Sequence, residues 1–148
     1  MARYVTTSRS PRPAGEAFAY LADVCNFAEW DPGVRRVSQV QGDGAGVSSV
    51  FDVTVAGVGR DLTLRYRTVA YRPPHTVVVR ARNLWFTSDD RITVETDRGG
   101  CVVMYDADLR LNGVLAIGDP VLALAFDRIG DRAAVGLRDL LEDEQLDG

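Results

Sequence analysis

One segment near the carboxyl end decides the fold of this chain: Asp119–Glu142, DPVLALAFDRIGDRAAVGLRDLLE. Asp119 is a favourable N-cap and Pro120 a favourable first helical residue, because proline lacks only an N–H that would be unpaired there. Apolar or small residues then recur at helical spacing and form one stripe: Leu122, Phe126, Ile129, Ala133, Gly136, Leu137 and Leu140. The segment therefore predicts a long amphipathic helix whose apolar side lies on another element.

The rest of the chain predicts a sheet for this helix to cover. Residues 3–9 alternate as a strand, and residues 13–30 follow with the apolar spacing of two short helices. Between residues 34 and 111, six segments alternate apolar and polar side chains and are separated by turn residues. An antiparallel sheet with one polar face needs its apolar face covered. We therefore expect an α+β fold, in which a curved antiparallel sheet of about seven strands wraps around the long C-terminal helix.

Several short stretches carry a resemblance to a known family: EAFAYLAD at 16–23, FAEWDPGV at 27–34, YRPP at 71–74 and the glycine pair at 99–100. With the order of elements, they resemble the START-like (SRPBCC) superfamily and, within it, the polyketide cyclase/dehydrase and lipid transport family. The resemblance covers essentially the whole chain and implies a helix-grip fold. It also implies an elongated apolar cavity between sheet and helix, which different members use for lipids, sterols, plant hormones or polyketide intermediates. It implies no catalytic set that can be carried over residue by residue.

Composition narrows the classes of function. The 148 residues favour a single domain over 1–148, and a formal charge of −4 argues against a nucleic-acid or anionic-membrane surface. All 17 basic residues are arginines, which excludes lysine chemistry. No segment is apolar enough for a signal peptide or a membrane span, so we expect a soluble, cytoplasmic protein that is a monomer or a homodimer. Cys25 and Cys101 are expected to be free thiols.

No cofactor or metal site is expected. His75 is the only histidine and follows two prolines in a turn, which favours a loop residue over a catalytic or metal-binding one. Charged residues on the central strands all fall on the polar face by strand parity, so solvated cross-strand ion pairs explain them: Arg65, Arg67, Arg80, Arg82, Asp106, Asp108 and Arg110.

The apolar stripe of the long helix contains small residues where a filled core would want large ones. Ala133 and Gly136 suggest that the gap between helix and sheet is left partly empty, with Phe126 on the same lining. An empty cavity costs about 24 cal/mol per Å³, so a ligand-sized void of roughly 300 Å³ would cost on the order of 7 kcal/mol. A hollow of that cost should be retained only if it is used. The alternative is that the small residues let the helix approach closely and leave no void.

Four further residues are candidates for ligand contact. Tyr66 and Tyr105 fall on the apolar sides of two strands, where a hydroxyl can orient a ligand carbonyl or find a buried partner. Asp90 shares the side of Ile92, so it is either a polar anchor in a pocket or, if the strand begins later, a residue in a solvated turn. Trp85 lies in a loop or at a strand start and is a candidate for the lip of a cavity mouth.

Three functions follow from these patterns. The first is non-catalytic binding, with transport as a possible role, of a small hydrophobic molecule such as a lipid or polyketide. The second is a polyketide cyclase or dehydratase that positions a reactive chain with Tyr66, Tyr105 or Asp90. The third is an interaction module with a filled core. The sequence leaves open whether any reaction is catalysed.

Overall fold

The computed structural model describes residues 2–56, 61–82, 86–111 and 131–141. Ten named elements and a final helix follow one another along the chain: β1 (Ala2–Ser10), α1 (Ala14–Ala22), a 3-10 turn (Val24–Asn26), α2 (Phe27–Trp30), β2 (Val34–Gln41), β3 (Val50–Ala56), β4 (Asp61–Arg72), β5 (Thr76–Arg82), β6 (Phe86–Asp97), β7 (Gly100–Leu111) and α3 (residues 131–141). The predicted order of strand, short helices, six strands and terminal helix is confirmed.

The strands form one antiparallel sheet in the order β1-β7-β6-β5-β4-β3-β2. Strands β2 to β7 form a meander, because each of them pairs with the strand that comes next in the sequence. Strand β1 pairs with β7 and so lies at one edge of the sheet. Irregularities in the β2–β3 and β4–β5 registers interrupt the ladders. Bulges of this kind bend the affected strand and increase its twist, which suits a curved sheet that grips a helix.

The short helices form because the chain alternates buried residues with polar caps. In α1 the buried residues are Ala17, Phe18, Leu21 and Ala22, which lie on one side at helical spacing. The Asp23 carboxylate then accepts the Cys25 N–H at 3.0 Å and starts the 3-10 turn. Asp31 ends α2, and its Oδ1 accepts the Gly33 N–H at 2.9 Å.

Helix α3 packs on the inner side of the sheet with Ala133 and Leu137, as the helical spacing predicted, but Leu141 is buried in place of the predicted Leu140, which is only partly buried. Ala133, Leu137 and Leu141 are buried and belong to the same core as the strands. Two hydrogen bonds tie the helix to β1: Tyr4 donates to Asp131 at 2.8 Å, and Ser10 Oγ donates to the Leu141 carbonyl at 3.1 Å. The helix therefore lies along the edge of the sheet formed by β1.

Part of the predicted long helix, residues 119–130, lies outside the described residues, and so do Phe126 and Trp85. None of the helices in the described ranges is long and apolar enough to cross a membrane.

The outer side of the sheet has the ion pairs that parity predicted. Arg65 holds Asp52 through two bonds of 2.8 and 3.1 Å, and Arg80 holds Asp89 through two of 2.6 and 3.2 Å. His75 lies in the turn between β4 and β5, as predicted. Cys25 and Cys101 are both free thiols, as expected, and Cys101 is buried.

Candidate functional site

A polar cluster interrupts the apolar inner side of the sheet. Asp90 lies inside β6 and is only 8% exposed, because it points to the same side as the buried Ile92. The Tyr105 hydroxyl, on neighbouring β7, donates to Asp90 Oδ2 at 3.1 Å, and Ser88 Oγ lies 3.5 Å from Oδ1. The interpretation of Asp90 as a residue in a solvated turn is therefore wrong, since β6 begins four residues earlier.

Tyr66 joins this cluster from two strands away. It pairs with Ala81 on β5, and Ala81 pairs with Ser88 on β6, so the three share one row across the sheet. Because alanine is small, Tyr66 and Ser88 lie close to each other across it, near enough for Ser88 to affect the pKa of the Tyr66 phenol. Tyr66, Ser88, Asp90 and Tyr105, which we call the inner cluster, therefore lie together on the inner side of the sheet.

Burial changes the protonation of this inner cluster. It raises the pKa of Asp90 to about 7, although the hydrogen bond from Tyr105 opposes the shift. Burial is also the main cause of the raised pKa values of Tyr105 and Tyr66, and the nearby Asp90 charge adds to both. At neutral pH the cluster therefore contains two protonated phenols and one carboxyl group close to its titration midpoint.

A second carboxyl group lies close enough to act on the first. The charge of Asp31, in the loop after α2, raises the pKa values of Asp90, Tyr66 and Tyr105. Burial also raises the pKa of Asp31 itself, against the Gly33 N–H and the positive charge of Arg132. Asp31 therefore belongs electrostatically to the inner cluster, although it comes from a different part of the chain.

Trp30 connects the inner cluster to α2. Its ring meets the Tyr105 ring edge-on at 5.8 Å between centroids and stacks at a tilt on Phe27 at 5.0 Å. The Trp30 side chain is 3% exposed, and its Nε1 has no acceptor within the described part of the chain. A buried N–H without an acceptor is costly, so this indole is suited to donate to a bound oxygen atom.

A pocket of about 500 Å³ opens between the α2 loop and α3. Trp30 and Asp31 form part of its wall, and both also act on the inner cluster, Trp30 through its contact with the Tyr105 ring and Asp31 through its charge. The remaining lining residues are Ala28, Glu29, Pro32, Asp131, Arg132, Val135 and Gly136. Its volume is within the roughly 300–1,000 Å³ of small-molecule sites.

Gly136 allows the two walls of this pocket to meet. A Cβ atom at Gly136 would lie 1.9 Å from the Trp30 carbonyl oxygen, far inside any normal contact. The close approach that was one interpretation of the small residues therefore occurs at Gly136, with the end of α2 as the neighbour. Ala133 is buried in the core of the protein, 4% exposed, among the residues that α3 packs on the sheet.

Three of the seven residues proposed from sequence as ligand contacts are thus brought together: Tyr66, Asp90 and Tyr105. Gly136 lines the neighbouring pocket, and Ala133 lies in the core of α3. Trp85 and Phe126 lie outside the described residues. Within the described ranges, no group of three or more potential ligand side chains is placed to hold a metal ion.

Sequence reasoning missed Ser88, Asp31 and Trp30 as site residues. Ser88 has the same strand parity as Asp90, so that signal was available once Asp90 was placed in a strand. The sequence around Asp31, Asp31–Gly33, is typical of a turn that ends a helix and has no signal of a site residue.

A comparison with models of protein families identifies the family of this chain. The model of the family described as polyketide cyclase/dehydrase and lipid transport matches residues 1–142. The chain belongs to this family. No curated protein matches the sequence.

Solved structures agree with the family at the level of the fold. The chain superposes on a START superfamily protein from Mycobacterium smegmatis with a TM-score of 0.77 and 12% identity, covering 99% of both chains. It superposes on the Zhui aromatase/cyclase from Streptomyces sp. R1128 with a TM-score of 0.74 and 15% identity, covering 94% of this chain and 90% of the other. The chain also superposes on the di-domain ARO/CYC BexL from the BE-7585A biosynthetic pathway, with a TM-score of 0.71 and 18% identity. The superposition covers 96% of this chain but only 50% of BexL. The chain thus spans half the length of that di-domain protein. At these identities the likeness establishes the START-like fold and no more.

Chemically, the site combines an apolar surface with a few oriented oxygen and nitrogen atoms. The phenols and the indole can donate hydrogen bonds, and the Asp90 carboxyl can accept or donate according to pH. Such a site can hold and orient a carbonyl or hydroxyl group on an apolar molecule.

Proposed function

We propose that this member of the family binds a small, largely apolar molecule that carries carbonyl or hydroxyl groups, such as a polyketide or a neutral lipid. The observation that carries the proposal is the inner cluster, a polar group that contains a buried carboxyl on the mainly apolar inner side of the sheet. Burying a carboxyl group among apolar residues is costly unless it is paired or used. A cluster with that cost is explained if a ligand takes part in its hydrogen bonds.

The ligand contacts proposed from the sequence stay proposals for this site. Tyr66, Asp90 and Tyr105 would provide the polar contacts, and the adjoining pocket with Gly136 would hold part of the apolar body. Ala133, Phe126 and Trp85 are proposed as further lining residues on the sequence argument alone. We also propose a single START-like domain that works in the cytoplasm as a monomer or homodimer, which the two free thiols support.

A first experiment tests binding directly. Native mass spectrometry of the purified protein and a fluorescence screen with fatty acids, sterols and aromatic polyketides should identify at least one binder. Intrinsic tryptophan emission is a suitable signal, because Trp30 contacts the inner cluster. A screen in which no compound of these classes binds would refute the proposed function.

Two neighbouring residues offer a matched pair of variants for this screen. Asp89 and Asp90 are adjacent on β6 but point to opposite sides of the sheet, where Asp89 pairs with Arg80. We expect Asp90→Asn to weaken the binder found in the screen by roughly tenfold, about one hydrogen bond to a charged group, and Asp89→Asn to leave it unchanged. Equal losses in both variants, or none in either, would place the ligand away from the inner cluster.

One observation favours a second function, a cyclase or dehydratase. A carboxyl group with a pKa of about 7 can exchange protons with a substrate near neutral pH. In this alternative the Asp90 carboxylate removes a proton from the carbon between two ketones, and the resulting enolate carbon attacks a distant carbonyl of the same chain. The new C–C bond leaves an alkoxide, which takes the proton back from Asp90. No oxidant or cofactor is consumed.

The alternative is tested with turnover instead of affinity. A poly-β-ketone thioester incubated with the protein should give a cyclised product more quickly than in buffer, and Asp90→Asn should abolish the difference while Asp89→Asn retains it. If the product distribution is the same with and without the protein, the molecule is a binder and no cyclase.

A further inference from the structure

Most of the charged side chains around the inner cluster and the adjoining pocket are negative. Asp90 lies in the cluster, and Asp31 lines the pocket and acts on Asp90 through its charge. Glu29 and Asp131 line the same pocket, and Arg132 is the single basic residue on its described lining. Carboxylates therefore outnumber guanidinium groups four to one, and Arg132 already acts on Asp31.

Apart from Arg132, the described hydrogen-bond donors of the site are uncharged. They are the Tyr66, Tyr105 and Ser88 hydroxyls and the Trp30 indole N–H, which has no acceptor among the described residues. Neutral donors can bind a carbonyl oxygen, but they do not offset the full charge of a carboxylate as a cation does.

We propose that this site selects its ligand by charge: it accepts neutral carbonyl- or hydroxyl-bearing molecules and rejects organic anions, including free fatty acids. The inference rests on the proposed binding function and narrows its ligand class. It predicts that a lipid or polyketide reaches the protein as an ester, amide, thioester or alcohol and not as a free acid.

The physical reason is the repulsion between a bound carboxylate and Asp31 and Asp90. Two like unit charges about 10 Å apart at an effective dielectric constant of about 20 still repel enough to weaken binding by roughly tenfold. Burial favours the neutral forms of both aspartates. A second negative charge in the site would favour them further, so an anion would have to bring a proton with it.

The test uses isosteric probe pairs that differ only in charge. We choose 2-naphthoate with 2-naphthamide, and dodecanoate with dodecanamide, so that both aromatic and aliphatic bodies are covered. At pH 8 the amide of at least one pair should bind at least about tenfold more tightly than the corresponding carboxylate. The aspartate variants Asp31→Asn and Asp90→Asn should each reduce this ratio, whereas Asp89→Asn should not.

A measurement on the unchanged protein supports the same conclusion without any variant. Described groups that face Asp90 are Tyr66 from β4, Tyr105 from β7 and Asp31 from the loop after α2, with Asp89 next to it on β6. Between pH 8 and pH 5.5, Asp90 takes up a proton while a naphthoate of ordinary carboxylic pKa stays ionised. The affinity for naphthoate should therefore rise several-fold on acidification, and that for naphthamide should change little.

Each outcome has a distinct meaning. If no probe of either pair binds, the proposed binding function fails and the charge selection fails with it. If a carboxylate binds as tightly as its amide at pH 8, the charge selection is wrong and the binding function stands. If the amide is preferred but neither aspartate variant reduces the ratio and acidification has no effect, the assignment of the selection to Asp31 and Asp90 is wrong.

Discussion

At the scale of single residues, Asp90 is the side chain with the largest consequence for both stability and chemistry. It is an acid in an apolar setting, held by one phenol and one serine hydroxyl. Natural cores seldom contain such a group without a use for it. The contribution of Asp90 to stability can be measured, because its protonated and ionised forms affect the free energy of unfolding differently.

The first residue-scale prediction concerns the pH dependence of stability. The pKa of Asp90 is about 7 in the folded protein and about 4 in the unfolded chain. Between these values the folded state holds more protons than the unfolded state, so this group makes stability fall as the pH rises from about 4 to about 7. Replacing Asp90 by Asn, which keeps an acceptor for Tyr105, should therefore raise the free energy of unfolding at pH 8 by a few kcal/mol relative to the parent, at about 1.4 kcal/mol per pKa unit.

The gain in the free energy of unfolding of the Asp90→Asn variant should nearly vanish at pH 4, where Asp90 is protonated in the folded protein. Chemical denaturation at the two pH values measures both differences, with Asp89→Asn as the control that gives no gain at pH 8. An Asp90→Asn variant that is less stable than the parent at pH 8 would show that the carboxyl group is not held in the way described.

The second residue-scale prediction concerns Gly136. A methyl group there would lie 1.9 Å from the Trp30 carbonyl oxygen, so α3 or α2 must shift to accept it. We expect Gly136→Ala to lower the free energy of unfolding by about 1–3 kcal/mol, typical of overpacking. Gly15→Ala is the control, because nothing lies within 4 Å of its Cβ position in α1 and alanine favours helix by up to about 1 kcal/mol. If both variants behave alike in thermal melts, the close contact is not present in solution.

At the scale of elements, the terminal helix is fixed at both ends of its described length by β1. Tyr4 holds Asp131 near the start, and Ser10 holds the Leu141 carbonyl at the end. The last carbonyl groups of a helix have no partner within the helix, so the bond from Ser10 satisfies one of them at the end of α3. The Ser10 hydroxyl also accepts the Arg12 N–H at 3.2 Å, which links β1, the entry to α1 and α3 at one point.

We therefore expect Ser10→Ala to destabilise the protein by about 1–3 kcal/mol, since two buried hydrogen-bonding groups lose their partner. Hydrogen exchange should become faster at the end of α3 before it changes in the central strands. Ser38→Ala, an exposed serine on β2, is the matched control and should change neither quantity. Faster exchange spread evenly over the sheet would contradict a local role for Ser10.

The elements themselves could be predicted from sequence, while the site could be predicted only in part. Alternating residues in β4 and β7 place Tyr66 and Tyr105 on the apolar side without any structure, whereas for Asp90 the alternation left a solvated turn open until the structure showed where β6 begins. The sequence does not give register across strands, because bulges such as the one in the β4–β5 ladder change it. The row that joins Tyr66 to Ser88 over Ala81 therefore had no signature in the sequence.

The same limit applies to Asp31. Its neighbours Pro32 and Gly33 describe a turn, and a turn pattern does not say which way the side chain points or which distant strand it approaches. Only packing α2 against the sheet brings its carboxyl group near Asp90. Electrostatic partners that come from separate elements are thus the part of a site that one sequence reveals least.

At the scale of the whole molecule, a ligand that binds only the folded state should stabilise all of it. When an uncharged ligand is present at 100 times its dissociation constant, the free energy of unfolding should rise by about 2.7 kcal/mol. Thermal melts with 2-naphthamide or dodecanamide, whichever binds, measure this shift. A smaller shift for Asp90→Asn at the same concentration, with the full shift for Asp89→Asn, would locate the linkage at the inner cluster. An equal shift in all three proteins would locate it elsewhere.

The contact between Gly136 and the Trp30 carbonyl has one last consequence, which concerns how a guest gets in and out. At this point the backbone of α3 meets the Trp30 carbonyl, with the Pro32 side chain beside it. A side chain at position 136 would push α3 and the end of α2 apart. We therefore expect a bulkier residue there to widen the opening and to speed the exchange of a bound molecule.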